Sequence, residues 1–254
     1  MTAEARSAAL ELIRTNIAKF GHHKYVIFGG AVPRFVYSIG LSESVGSELI
    51  VAGCSFYSVD EVRRIMDAAL AQLAELPPVE RLGAQIEVDS LGGFSLREVD
   101  TSWCRFLLLG ALDFYSVDRI AALQIVPDKD HWTIDIPVLD RPFNALVEPV
   151  WRWVQEPWLF PVPENSTVVT NLAALRGKTL TEVARWEPGE WEMFAGAGPD
   201  VASEDVRTVP LGTLVGADQS LEEIVKTLEV GGAVWREPGE LCWHPWSAAT
   251  AEND

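Results

Sequence analysis

From the N-terminus, apolar side chains recur at helical spacing: Ala8, Leu12, Ile13, Ile17 and Phe20 fall on one stripe, and Gly21 ends the run. This predicts an amphipathic helix over residues 2–20. Short β-rich stretches follow at Tyr25–Phe28, Phe35–Ile39 and Leu49–Val51, separated by Gly29-Gly30, Pro33, Gly40 and Gly46, which read as turns. Ser58 then opens a second helix, because Glu61 stands where a reciprocal capping box requires it. Val62, Ile65, Met66, Ala69, Leu70 and Leu73 form its expected buried stripe, and Pro77-Pro78 its stop. Further strands are expected near Gln85–Val88, Phe94–Val99, Cys104–Leu109 and Ala122–Val126, in a sheet covered on at least one face. Arg141–Val154 reads as a last helix carrying Trp151 and Trp153.

Pro157, Pro161 and Pro163 then make a stiff extended connector. The expected organisation is a domain over residues 1–156 and a smaller one over 157–254. The expected class is α+β, each domain a mainly antiparallel sheet with packed helices. Two internal echoes stand out. Phe56-Tyr57-Ser58-Val59-Asp60 returns as Phe114-Tyr115-Ser116-Val117-Asp118, with a serine suited to capping a helix start in both copies. Glu187-Pro188-Gly189-Glu190 returns as Glu237-Pro238-Gly239-Glu240, where Pro then Gly favours a type II turn. The second pair reads as two hairpins of one sheet. Ser247–Asp254 reads as a mobile polar tail.

Composition narrows the class. With 48% hydrophobic and 22% charged residues the 254-residue chain is ordinary for a globular protein. No apolar run is long enough to span a bilayer, and Met1–Phe20 lacks the apolar core of a signal peptide, so no membrane contact and a cytoplasmic location are expected. The net charge of −17 is unevenly spread. Residues 1–155 hold 14 Lys and Arg against 20 Asp and Glu, a net of −6, and residues 156–254 hold 6 against 17, a net of −11. Such a field repels phosphate backbones, so nucleic acid is not an expected partner, and a basic protein is. Solubility alone accounts for the same charge.

Chemistry-bearing motifs are scarce. Neither a phosphate-binding G-x-x-x-x-G-K-[ST] nor a G-x-G-x-x-G is present, and Gly53-Cys54-Ser55-Phe56-Tyr57 lacks the second glycine of a nucleophile elbow. Cys54, Cys104 and Cys242 are too widely spaced for a disulfide framework or a zinc site. His22-His23, at a helix end, suits a dipole-complementing imidazolium more than a metal. Asp128-Lys129-Asp130-His131 could offer oxygen and nitrogen ligands, although a solvated turn explains it better. Cys242-Trp243-His244 has no partner pair and reads as hairpin. Tryptophans Trp158, Trp186, Trp191, Trp235, Trp243 and Trp246 either fill the small domain's core or, where exposed, anchor a protein partner.

Residues of about 10 to 145 resemble the bacterial domain of unknown function 4262. The likeness lies in Phe35-Val36-Tyr37-Ser38-Ile39-Gly40-Leu41, Ser47-Glu48-Leu49-Ile50-Val51-Ala52-Gly53 and Leu123-Gln124-Ile125-Val126-Pro127-Asp128, with Ser47 and Val126 departing from the family's Pro and Trp. Residues of about 165 to 246 resemble the bacterial domain of unknown function 2185 through Gly177-Lys178, the strand Trp191 to Gly196 and the strand Ala233 to Glu237. That second resemblance implies an immunity protein, which binds a toxin stoichiometrically and turns over no substrate. The leading expectation is therefore a non-catalytic protein-binding module neutralising a basic toxin domain, with Glu190, Trp191, Glu192, Trp235 and Glu237 as contact residues and no cofactor or metal. The rival is an enzyme or small-molecule sensor, its N-terminal pocket lined by Tyr37, Ser38, Glu48, Gln124, Asp128 and His131. A third reading is an assembly module with a symmetric interface and no pocket.

Overall fold

A computed structural model describes residues 2–246 of the chain, so the tail reading at Ser247–Asp254 lies outside the described residues. Contacts divide the chain into two units, Met1–Phe28 with Arg34–Glu148, and Gly29–Pro33 with Pro149–Asp254. The division thus falls before the proline connector, and a short early loop joins the second unit. Each unit is built on one six-stranded, mainly antiparallel sheet, which makes the fold α+β.

In the first unit, helix α1 (Ala3–Phe20) begins at Thr2, whose side chain accepts from the Ala5 amide at 3.2 Å. It ends at Gly21, where φ of 80° gives the left-handed cap glycine tolerates. Its expected apolar stripe is not the buried face it suggested. Only Ile13 is buried, while Ala8, Leu12 and Phe20 are exposed. Strands β1 (His23–Ile27), β2 (Phe35–Ile39) and β3 (Glu48–Ala52) follow, then α2 (Val59–Glu75) and the short α3 (Pro78–Arg81). The capping box at Ser58 and Glu61 is formed in both directions, and Val62, Ile65, Met66, Ala69 and Leu73 are buried as the periodicity predicts.

Strands β4 (Gln85–Val88) and β5 (Gly92–Glu98), helices α4 (Thr101–Leu107) and α5 (Leu109–Tyr115), and strand β6 (Ala122–Pro127) complete this unit. The sheet order is β1-β2-β3-β6-β5-β4, with β3 and β6 its parallel pair. Every residue of β2, β3 and β6 is buried, as expected for strands covered on both faces. Val36, Leu49, Val51, Leu123 and Ile125 share a core with the α2 stripe. On the other side, Tyr37 Oη accepts the Gly110 amide of α5 at 3.0 Å.

Two sequence expectations fail here. Cys104–Leu109 is helical, not a strand: the apolar run spans the end of α4 and the start of α5. A short continuous apolar run has no periodicity to separate the two states. Ser116, expected to cap a helix start, instead ends α5 in the left-handed region at φ 55°. The same pentapeptide therefore starts one helix and stops another.

The second unit opens with a 3-10 turn at Pro149–Val154, so the helix expected over Arg141–Val154 shrinks to this segment. Then come β7 (Thr167–Asn171), α6 (Leu172–Leu175), β8 (Glu182–Glu187), β9 (Glu190–Phe194), β10 (Val206–Pro210), α7 (Leu211–Ala217), α8 (Leu221–Thr227), β11 (Ala233–Trp235) and β12 (His244–Pro245). The order is β10-β7-β9-β8-β11-β12, with β7 and β9 parallel. Both Glu-Pro-Gly-Glu segments lie between antiparallel neighbours of this sheet, β8 with β9 and β11 with β12. Gly239 has the positive φ, 95°, that a type II turn needs. Gly189 is outside that region, so the type II expectation fails at the first copy.

Alternation gives this sheet two unlike faces. Val209, Val168, Trp191, Met193, Val183 and Val234 are buried on one. Arg185 on that face lies over the Trp191 ring at 5.0 Å and donates to the Leu228 carbonyl just past α8 at 2.8 Å. Across the other face, Thr208, Val169, Glu192, Ala184 and Ala233 stand opposite one another in register, and none is buried.

Candidate functional site

The six polar residues expected to line one pocket in the first unit do not converge. The parallel register pairs Glu48 with Ala122. Asp128 lies six residues further along, beyond the opposite end of β6, about 20 Å away at strand rise. Tyr37, Ile50 and Gln124 form a row between these ends. Gln124 is buried and donates to the Pro137 carbonyl at 3.0 Å. Burial raises the Tyr37 phenol well above its ordinary range. Both side chains are thus packed, bonded core.

At one end, Glu48 is fully buried. Its Oε1 accepts the amides of Gly40 (3.1 Å), Leu41 (3.0 Å) and Ser42 (3.1 Å), and the hydroxyls of Ser42 (3.0 Å) and Tyr115 (2.6 Å). Its Oε2 accepts Ser38 Oγ at 2.5 Å. Three successive amides curl round one oxygen, the geometry that binds anions elsewhere, and here the chain's own carboxylate fills it. This cluster fixes the loop between β2 and β3 and leaves Glu48 no face for a substrate.

At the other end, Asp128 caps the 3-10 turn Lys129–His131. Its Oδ1 accepts from Asp130 N, His131 N and His131 Nδ1 (2.7 Å), and its Oδ2 from the Gly93 amide at 3.0 Å. His131 stacks on Tyr57 with ring centroids 5.6 Å apart. Burial works to raise the Asp128 carboxyl, but the bonds from His131 and the amides overcome it and hold the carboxyl below its usual range. A depressed carboxyl stabilises the fold above its unfolded value, and this is lost as pH falls through the folded one. Asp128→Ala should cost about 1 kcal/mol at pH 7 through loss of the cap. Urea midpoints of both proteins at pH 7 and near pH 3 should show the gap closing in acid; a constant gap would remove the electrostatic part of this account.

The histidine pair at the end of α1 also differs from expectation. Burial lowers both His22 and His23, against the charged role suggested for them, and His23 Nδ1 is 2.8 Å from Asn16 Nδ2. Among the described residues no group of three His, Cys, Asp or Glu side chains is placed to hold a metal ion, and no helix is long and apolar enough to cross a membrane.

The expected contact residues of the second unit separate by face. Trp191 is a correction: it points into the core and is 1% exposed, because alternation turns it away from its neighbours. Glu190 and Glu192 flank it on the open face. Trp235 pairs with Glu182 on the same face, and Glu237 is exposed just beyond. Around them lies a concavity of about 420 Å³ lined by Thr181, Glu182, Trp235, Arg236, Glu237 and Trp246, among others. Its indoles and carboxylates suit a cation, and among the described residues its lining sets no nucleophile against a base. Glu182 and Trp246 were not among the expected contacts. Strand alternation could have supplied Glu182 only once the β8–β11 register was known.

Residues 16–132 match the family described as "Domain of unknown function (DUF4262)", in accord with the resemblance read from the N-terminal motifs. No curated protein and no solved structure matches the chain.

Proposed function

We propose that this chain is a non-catalytic protein-binding module whose second unit holds a basic partner against the open face of its sheet. The observation that carries this reading is the pairing of indoles with carboxylates that form no ion pair among the described residues, Trp235 and Trp246 standing beside Glu182 and Glu237 in one concavity. Exposed Glu190 and partly exposed Glu192 extend the negative surface along β9. Charge of this sign speeds encounter with a basic surface, and indoles supply the buried anchor area once contact is made. The specific form proposed is a cytoplasmic immunity protein neutralising a basic toxin domain. Support for that finer step comes from the resemblance of residues 165 to 246 and the net charge of −11 over residues 156–254.

The enzyme reading loses support from the scattering of Tyr37, Ser38, Glu48, Gln124, Asp128 and His131. Affinity capture with the full chain from its own cells should yield one stoichiometric basic protein that rebinds when purified, with affinity falling as salt rises. Glu190→Lys with Glu192→Lys should weaken that rebinding by about tenfold or more through like-charge contact. Absence of any stoichiometric partner, or indifference to the double reversal, would overturn the proposal.

A further inference from the structure

Resting on the protein-binding reading, we infer that the concavity beside Trp235 is a subsite for one arginine side chain of the partner. A volume of about 420 Å³ accommodates a guanidinium and its methylene stem. Charge selects the sign of the occupant. Glu182 and Glu237 take part in no ion pair among the described residues. Among the described residues the cation in the lining is Arg236, which is 4% exposed and whose bonds are already committed. It donates to Asp218 Oδ2 (2.5 Å), the Leu180 carbonyl (2.7 Å) and Ser220 Oγ (2.9 Å), and lies over the Trp243 ring at 4.1 Å. Asp218 therefore offsets Arg236, and the two glutamates set the potential inside the concavity.

Orientation is also fixed in advance. Glu182 Oε2 accepts the Gly198 amide at 2.9 Å, which holds that carboxylate in place. The Glu237 amide donates to Glu240 Oε2 at 3.1 Å, which holds the turn carrying Glu237. The aromatic walls choose between cations. A guanidinium lies flat on an indole and donates in its own plane to a carboxylate, whereas an ammonium is a compact, strongly hydrated point charge that does not stack. This unit already sets guanidinium groups over indoles, Arg152 over Trp153 and Arg236 over Trp243, each at 4.1 Å from the ring centre.

The test uses the full chain and three capped tripeptides with arginine, lysine or citrulline between glycines, followed through the indole N–H signals in nitrogen–proton correlation spectra. The arginine peptide should shift the Trp235 and Trp246 signals saturably and leave buried Trp151 and Trp191 unmoved. Citrulline, isosteric but uncharged, should not bind, and lysine should bind at least about threefold more weakly. Glu237→Gln, a change at an exposed position, should weaken the arginine peptide by about threefold or more. No saturable shift, equal shifts from citrulline, or equal affinity for lysine would overturn the subsite. Partner rebinding that persists without peptide binding would sink the subsite alone. Peptide binding with no stoichiometric partner would sink the protein-binding reading alone.

Discussion

Replacing Glu48 with alanine is expected to destabilise the first unit by about 3–5 kcal/mol, enough to leave a marginal domain largely unfolded. The size follows from what remains behind. Six hydrogen bonds end on this carboxylate, three from successive backbone amides and three from the hydroxyls of Ser38, Ser42 and Tyr115. Removing it strands buried donors, and each unpaired donor costs about 1–3 kcal/mol when water cannot reach it. Serines can rotate, and the Gly40 amide keeps Tyr115 Oη as an acceptor at 2.7 Å, so the full sum is not reached. Glu48→Gln keeps one acceptor oxygen and should cost less. Urea unfolding of the three proteins gives the ordering; a loss below about 1 kcal/mol for the alanine variant would show that water fills the site.

Gly53→Ala should be similarly damaging, at about 3 kcal/mol or more, for a different reason. Its φ of 70° is left-handed, which alone costs a non-glycine residue about 1–2 kcal/mol. A Cβ there would also stand 2.1 Å from the Asp135 carbonyl oxygen, a backbone atom that cannot step aside. Relieving the clash would pull apart the adjacent anchor, in which Ser55 Oγ donates to buried Asp135 Oδ2 at 2.6 Å. Gly46→Ala isolates the backbone part, since φ there is 85° with no atom within 4 Å of the added carbon. Thermal unfolding should show Gly53→Ala losing clearly more than Gly46→Ala. Equal losses would mean that the close approach to Asp135 is not rigid.

Local chemistry was legible wherever a residue's role depends on its near neighbours in sequence. Ser58 and Glu61 declare a helix start by spacing alone, and the α2 stripe follows from its period. Strands Phe35–Ile39 and Gln85–Val88 stand where alternation and turn residues placed them. Charge, too, belongs to the sequence, including its concentration in residues 156–254.

Roles set by distant partners were not legible. Ser116 and Ser58 sit in one repeated pentapeptide, yet Ser116 closes a helix in the left-handed region, while its neighbour Tyr115 bonds Glu48 from far along the chain. Cys104–Leu109 became helix because those apolar side chains lie in α4 and α5, a choice the run itself does not encode. Trp191 and Glu192 are adjacent, but a strand sends neighbours to opposite faces, and only tertiary packing decides that the Trp191 face is the dry one. By itself the sequence determined the Ser58 capping box, the buried stripe of α2, the strands at Phe35–Ile39 and Gln85–Val88 and the sign of the net charge, because these depend on spacing within a few residues or on composition. Tertiary structure alone decided that Glu48 is a buried, fully bonded carboxyl that anchors a loop and that Trp235, not Trp191, meets solvent, because burial depends on side chains brought together from far along the chain.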